Sequence, residues 1–179
     1  MAGSPKEQEL RRFLSELLAE LGMTQPVDAY ELAERVGAHL GRPVIVRTAE
    51  FPTANASGVA LRLPDPDRYM VGLQEAATAG HRAHVLFHEL VHIVRGHLDG
   101  DPADQPTITC RSVGELNVGA GGAASQPPMS AADLFEWEAE VGATILSRWS
   151  RTDPGRQGAI GEDPAVSRFA SALMGAPWT

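Results

Sequence analysis

Two histidines four positions apart, with a glutamate directly after the first, lie within the run GHRAHVLFHELVHIVRGH: His88, Glu89 and His92. On an α-helix, residues i and i+4 stand one above the other, about 5–6 Å apart at Cβ. Both rings can therefore turn a nitrogen to one point about 2 Å from each, which is the spacing a zinc ion needs. Glu89 lies about 100° round the helix from His88, at the edge of the same face. A carboxylate there can take the proton of a water that zinc has made acidic, without being forced into coordination.

The same stretch has an ordinary reason to be helical. Ala83, Leu86, Phe87, Leu90, Ile93 and Val94 project to one broad apolar face, and His81, His84, His88 and His92 to the opposite one. Burial explains the first face but not four imidazoles where Lys, Glu and Arg usually meet solvent. His84 and His88 form a second i, i+4 pair, but a site shifted there would lose Glu89 from its catalytic position. His81 and His84 are candidate cleft-lining groups. With Tyr69 they are also the candidates for stabilising a developing oxyanion. His97, near the helix end, reads as a capping group or as outer support for a ligand.

A catalytic zinc site takes three protein ligands and keeps one position open, so a third ligand must come from elsewhere in the chain. The stretch DLFEWEAEVGATILSRW supplies Glu136, Glu138 and Glu140. Glu136 shares a stripe with Ala139, Ala143 and Leu146, and with Ala132 and Gly142 this side is slim enough for a second helix to approach. A carboxylate within such a stripe is costly to bury unless a cation receives it. Glu140, one turn on, can accept a hydrogen bond from the far nitrogen of a ligating histidine and fix its tautomer. Glu138 points to a different side, toward a surface partner. Three glutamates solvating a helix face is the plainer alternative.

The elements that must position these residues follow from periodicity and punctuation. Helical spacing runs from Lys6 to Leu21, with Gly22 as its stop, and again after Pro26 through Tyr30, Leu32, Ala33, Val36 and Leu40 to Gly41. Three stretches of strand character follow, Val44–Arg47, Ser57–Leu63 and Tyr69–Leu73, closely spaced enough for a small, mostly antiparallel sheet. Thr78 or Gly80 opens the helix with HELVH, which runs to Arg95 or Gly96. Residues 99–130, rich in Gly, Pro, Ser and Asp, read as a long loop with one short strand near Thr107–Arg111. A helix from Ser130 to Trp149 starts with Ser130 as N-cap and Asp133 as its capping partner. The tail 151–179 ends in a short helical pattern, Val166, Phe169, Ala170 and Leu173. The expected class is α+β: a three-stranded sheet packed against helices that include the HExxH helix. The whole chain, 1–179, forms one domain with its core in about 5–150.

Composition narrows the classes of function. The net charge is −8, from 15 Lys and Arg against 23 Asp and Glu, and the arginines are scattered. Direct nucleic-acid binding normally needs a clustered basic surface. The two leading helices could suggest helix-turn-helix reading, yet the second carries Asp28, Glu31 and Glu34, the wrong sign for a major groove. No apolar run approaches the ~18 residues of a transmembrane span, and the start shows no signal-peptide pattern. The single cysteine, Cys110, permits no internal disulfide, so a cytoplasmic location is expected.

HELVHIVRGH followed by EWEAEVGATIL resembles the ImmA/IrrE family of metallopeptidases, over roughly residues 5 to 150. The resemblance implies a minimal zincin-like domain, metal ligands His88, His92 and Glu136, and Glu89 as catalytic glutamate. It also implies cleavage of a partner regulator, typically a repressor with a helix-turn-helix domain encoded nearby, in a stress or mobile-element response. The strand before the active helix, Tyr69–Gln74, would bind substrate as an open edge. His84 and Gly142 stand where the family commonly has Phe and an aromatic residue, which implies extra room around the metal. Two imidazoles and a carboxylate suit Zn2+ and also Mn2+. The rival function is a non-proteolytic module on the same scaffold, which sequesters a regulator or forms half of a toxin–antitoxin pair.

Overall fold

The computed structural model describes residues 4–51, 56–99, 109–111 and 130–150. In order these form α1 (Pro5–Glu20), α2 (Ala29–Leu40), β1 (Val44–Ala49), β2 (Ala56–Pro64), β3 (Asp67–Gln74), α3 (Ala79–Val94), β4 (Thr109–Arg111) and α4 (Ala131–Trp149). Each helix begins where a side-chain oxygen can accept a first-turn N–H, which satisfies donors that have no partner inside the helix. Ser4 accepts from Glu7 at 3.2 Å, Asp28 from Tyr30 and Glu31 at 2.9 and 3.0 Å, and Thr78 from His81 at 3.3 Å. Ser130 accepts from Asp133 at 3.1 Å and Asp133 accepts from the Ser130 N–H at 3.2 Å, completing the capping box. Gly22 and Gly41 follow α1 and α2 with positive φ, as their sequence positions suggest.

The class is α+β, as expected, but the sheet is mixed and has four strands in the order β1-β3-β2-β4. β3 pairs with β1 in parallel, from Val44↔Tyr69 to Ala49↔Gln74, and with β2 antiparallel, from Gly58↔Leu73 to Pro64↔Asp67. β4 falls in the stretch where the sequence suggested a short strand and pairs antiparallel with β2. This corrects one expectation: Tyr69–Gln74 is no open edge, because β3 lies inside the sheet with both sides paired. The hairpin from β2 occupies one side and β1 takes the other, a choice that strand periodicity does not encode. The remainder of 99–130, and the tail with Val166, Phe169, Ala170 and Leu173, lie outside the described residues.

Alternation along the strands divides the apolar residues between two faces. Ala60, Tyr69, Val71 and Leu73 join the main core under the helices, together with Leu14, Leu32, Val36, Leu86, Phe87 and Leu90. Val59 and Met70 form a smaller cluster on the other face with Phe51, Leu61 and Leu63.

α3 is buried continuously from Val85 to Ile93, including His88, Glu89 and His92. Its histidine face looks like a solvated face in sequence, but α4 covers it. Contact is close because a Cβ on Gly142 would stand only 2.6 Å from Val91 Cγ2. Gly142 therefore lets α3 approach, as its small size suggests, and does not open the extra room that the resemblance implied, since Val91 fills that space. Gly142→Ala should cost about 1–3 kcal/mol by overpacking. Urea unfolding should show a lower midpoint with an unchanged slope.

Candidate metal centre

His88 and His92 are held by α3, and α4 delivers a carboxylate to them across the helix pair. Glu136 Oε2 lies 3.5 Å from His88 Nε2, Glu136 Oε1 3.6 Å from His92 Nε2, and the two Nε2 atoms are 3.0 Å apart. Tetrahedral bonds of about 2.0–2.2 Å put neighbouring donor atoms roughly 3.3–3.6 Å apart. The observed spacings are close to these, and the group His88, His92 and Glu136 could hold a metal ion. The two rings are buried, whereas the Glu136 side chain is 43% exposed, so the cluster is open to solvent on the α4 side.

The outer nitrogens explain why the inner ones converge. Glu140 Oε2 lies 3.6 Å from His88 Nδ1, longer than a full hydrogen bond but near enough to favour a proton there. His92 Nδ1 faces His97 Nδ1 at 3.0 Å, and His97 Nε2 faces Glu138 Oε2 at 3.2 Å. Arg95 donates two bonds to Glu138, at 2.8 and 3.0 Å. Burial works against the Glu138 charge, but the Arg95 pair outweighs it and holds the carboxyl below its ordinary range. An ionised Glu138 keeps the proton on His97 Nε2, so His97 Nδ1 must accept and His92 Nδ1–H must donate.

Both ligand rings are then left with lone pairs on Nε2, facing each other at 3.0 Å. Such an arrangement calls for a cation between them. Burial, with His88 and His97 nearby, pushes the His92 pKa down to about 2, so its ring stays neutral, the form that ligation needs. The donor set therefore fits a metal ion.

Glu89 completes the constellation. Its side chain is fully buried, and burial, reinforced by Glu136 and opposed by His88, pushes its pKa up to about 8. Neither oxygen makes a hydrogen bond of full geometry among the described residues, while the Ala60 N–H on β2 lies where it favours the charged form. β2 is kept slim at this point. A Cβ on Gly58 would collide with Val85 Cγ1 and approach Glu89 Oε1 to 3.2 Å. An isolated glycine within a strand pattern is the sequence signal for such a close approach.

The other candidate residues fall in different places. Glu140 lies at His88 Nδ1, on the far side of the ring from Glu136. Glu138, expected to find a surface partner, instead supports His92 through His97 and is itself largely buried, 14% exposed. His97 can do this because Gly96, at φ 71, turns the chain back at the end of α3. The His97 ring stacks on Phe135 with centroids 4.0 Å apart. His84 is half-buried between Glu140 and Ser147. His81 is exposed in the first turn of α3, away from the rings. Tyr69 lines no cleft: it is buried in the core, where its hydroxyl donates to Asp99 at 3.2 Å and accepts from Arg42 at 3.4 Å. Tyr69 lies near the start of an interior strand whose helix-facing positions make the core, so its bulk goes inward.

Removing the His97 ring nitrogens should weaken the site from outside. His97→Phe preserves the stacking on Phe135 but leaves His92 Nδ1 without its acceptor. Metal affinity, read by chelator competition, should fall about 10–100-fold with little change in helix content.

The chain matches no protein-family model and no curated protein. Among the described residues no helix is long and apolar enough to cross a membrane.

Proposed function

We propose that the protein is a zinc-dependent endopeptidase of the ImmA/IrrE type, with zinc held by His88, His92 and Glu136. The observation that carries this reading is the convergence of one carboxylate with two Nε2 lone pairs, at 3.5 and 3.6 Å, beside a buried glutamate with no full hydrogen bond among the described residues. Zinc bound there supplies Lewis acidity, polarising a peptide carbonyl and making a water acidic near neutral pH. Three protein ligands with an open, solvent-facing side favour zinc in a catalytic setting over a closed structural site, and favour it over an octahedral manganese.

The remaining steps belong to the chain. Glu89 takes the proton of the attacking water and hands it to the departing amine. Glu140 and the His97–Glu138–Arg95 set hold the two rings in the tautomer that ligation needs. β2, through Gly58 and Ala60, borders Glu89. A substrate peptide reaches the site from the α4 side, where Glu136 is exposed, and does not add as a strand to β3 or to β2 at Gly58, where both sides are paired.

For the substrate we favour a protein, specifically a helix-turn-helix regulator encoded nearby, cut in the cytoplasm. The net charge of −8 supports action through a partner over direct DNA contact. The test is to incubate the zinc-loaded protein with a neighbouring regulator and analyse the products by mass spectrometry. Discrete fragments that vanish on chelation and return with zinc are expected. Zinc binding without any cleavage would favour the sequestering module instead.

A further inference from the structure

Of the two α3 histidines outside the metal centre, His81 is exposed and His84 reaches toward it. His84 lies one turn before His88, with its two ring nitrogens engaged in opposite directions. Its Nδ1 is 3.2 Å from Ser147 Oγ, and its Nε2 is 3.4 Å from Glu140 Oε1. The other Glu140 oxygen is the one that faces His88 Nδ1 at 3.6 Å. Ser147, His84, Glu140 and His88 therefore form a continuous chain that ends on a ring of the metal centre. Glu140 and Ser147 are two turns apart on α4, and His84 spans them from the neighbouring helix. The Gly142–Val91 contact brings the helices close enough for this reach.

We propose that His84 is a positioning residue of the metal centre, holding the Glu140 carboxylate against His88 so that His88 keeps its proton on Nδ1 and offers Nε2 to the cation. The inference rests on the metal reading above. The Glu140 side chain is 32% exposed and the His84 side chain 28% exposed. A glutamate at such a boundary has the rotamer freedom to swing into water, and an orienting carboxylate that swings away no longer fixes its histidine. His84 removes that freedom with a donor whose own ring is anchored by Ser147.

Zinc affinity of the full chain, measured by competition with a chromophoric chelator, tests this. His84→Phe keeps a ring of similar size and loses both nitrogens; it should weaken zinc binding about tenfold. His84→Gln, which can still donate to Glu140, should recover most of the loss. In the Glu140→Gln background, His84→Phe should have no further effect, because its action passes through Glu140. Circular dichroism and the thermal midpoint of the metal-free variants separate positioning from a folding defect. Unchanged affinity in His84→Phe, or an undiminished loss in the Glu140→Gln background, overturns the role of His84 and leaves the metal reading intact. If the wild-type chain binds no zinc, the metal reading fails, and this inference fails with it.

Discussion

Glu89→Gln should stop peptide hydrolysis, leave zinc binding in place, and make the metal-free protein less sensitive to rising pH. Loss of the group placed to move the proton should lower turnover by about 10²–10⁴-fold. The stability effect follows from burial. The metal-free folded chain holds a proton on Glu89 up to about pH 8, whereas the unfolded chain releases it near 4.5. Between those values the folded state binds more protons than the unfolded one, so this group's contribution falls as pH rises. Gln cannot titrate. From pH 5 to pH 8 the variant should therefore gain about 3 kcal/mol relative to wild type, at about 1.4 kcal/mol per unit over most of the window. Denaturant unfolding of both metal-free proteins at the two pH values measures this. A stability gap that stays constant would mean that Glu89 titrates as an ordinary carboxyl.

The second large effect is the coupling of zinc to folding. Zinc at about a thousand times its dissociation constant should stabilise the wild-type chain by about 4 kcal/mol, which for a domain of this size raises the midpoint by roughly 8–16 °C. His92→Ala should abolish this gain. Glu136→Gln keeps the side-chain volume but loses the charge, and should weaken zinc binding about a hundredfold, or about 2.8 kcal/mol. His92→Ala has a second signature in the absence of metal. Burial lowers the His92 pKa from 6.5 to about 2, so only the unfolded chain takes up this proton as pH falls below 6.5. Wild-type stability should thus lose about 2 kcal/mol from this group between pH 7 and pH 5, and the variant should not show that part of the loss. Calorimetry with and without zinc at each pH reads both effects. A midpoint in His92→Ala that still rises with zinc would place the metal elsewhere.

The local features were legible because they depend on neighbours in the chain. The i, i+4 spacing of His88 and His92, the caps at Ser130 and Asp133, the stops at Gly22 and Gly41, and the α+β class all follow from helical period, turn chemistry and binary pattern. Glu136 could be singled out because a carboxylate beside Ala139 and Ala143 conflicts with burial. Residues that depend on how elements pack were not legible. Sequence placed Glu138 toward a surface partner, whereas the return of the chain at Gly96 brings His97 and Arg95 to it. The resemblance suggested open space at Gly142, and Val91 occupies it.

The resemblance offered Tyr69–Gln74 as an open edge, and a strand's own alternation could not correct this, since it says which face is buried but not which strands flank it. His84 read as cleft lining because a single helix cannot show that Ser147 and Glu140 arrive from another. Short-range hydrogen bonding and apolar periodicity were enough to specify the elements and two of the three candidate ligands. The position of α4 across α3, which joins Glu136 to those rings and aligns the outer nitrogens, arises from the interlocking of small residues on distant segments, and only the folded chain brings these together.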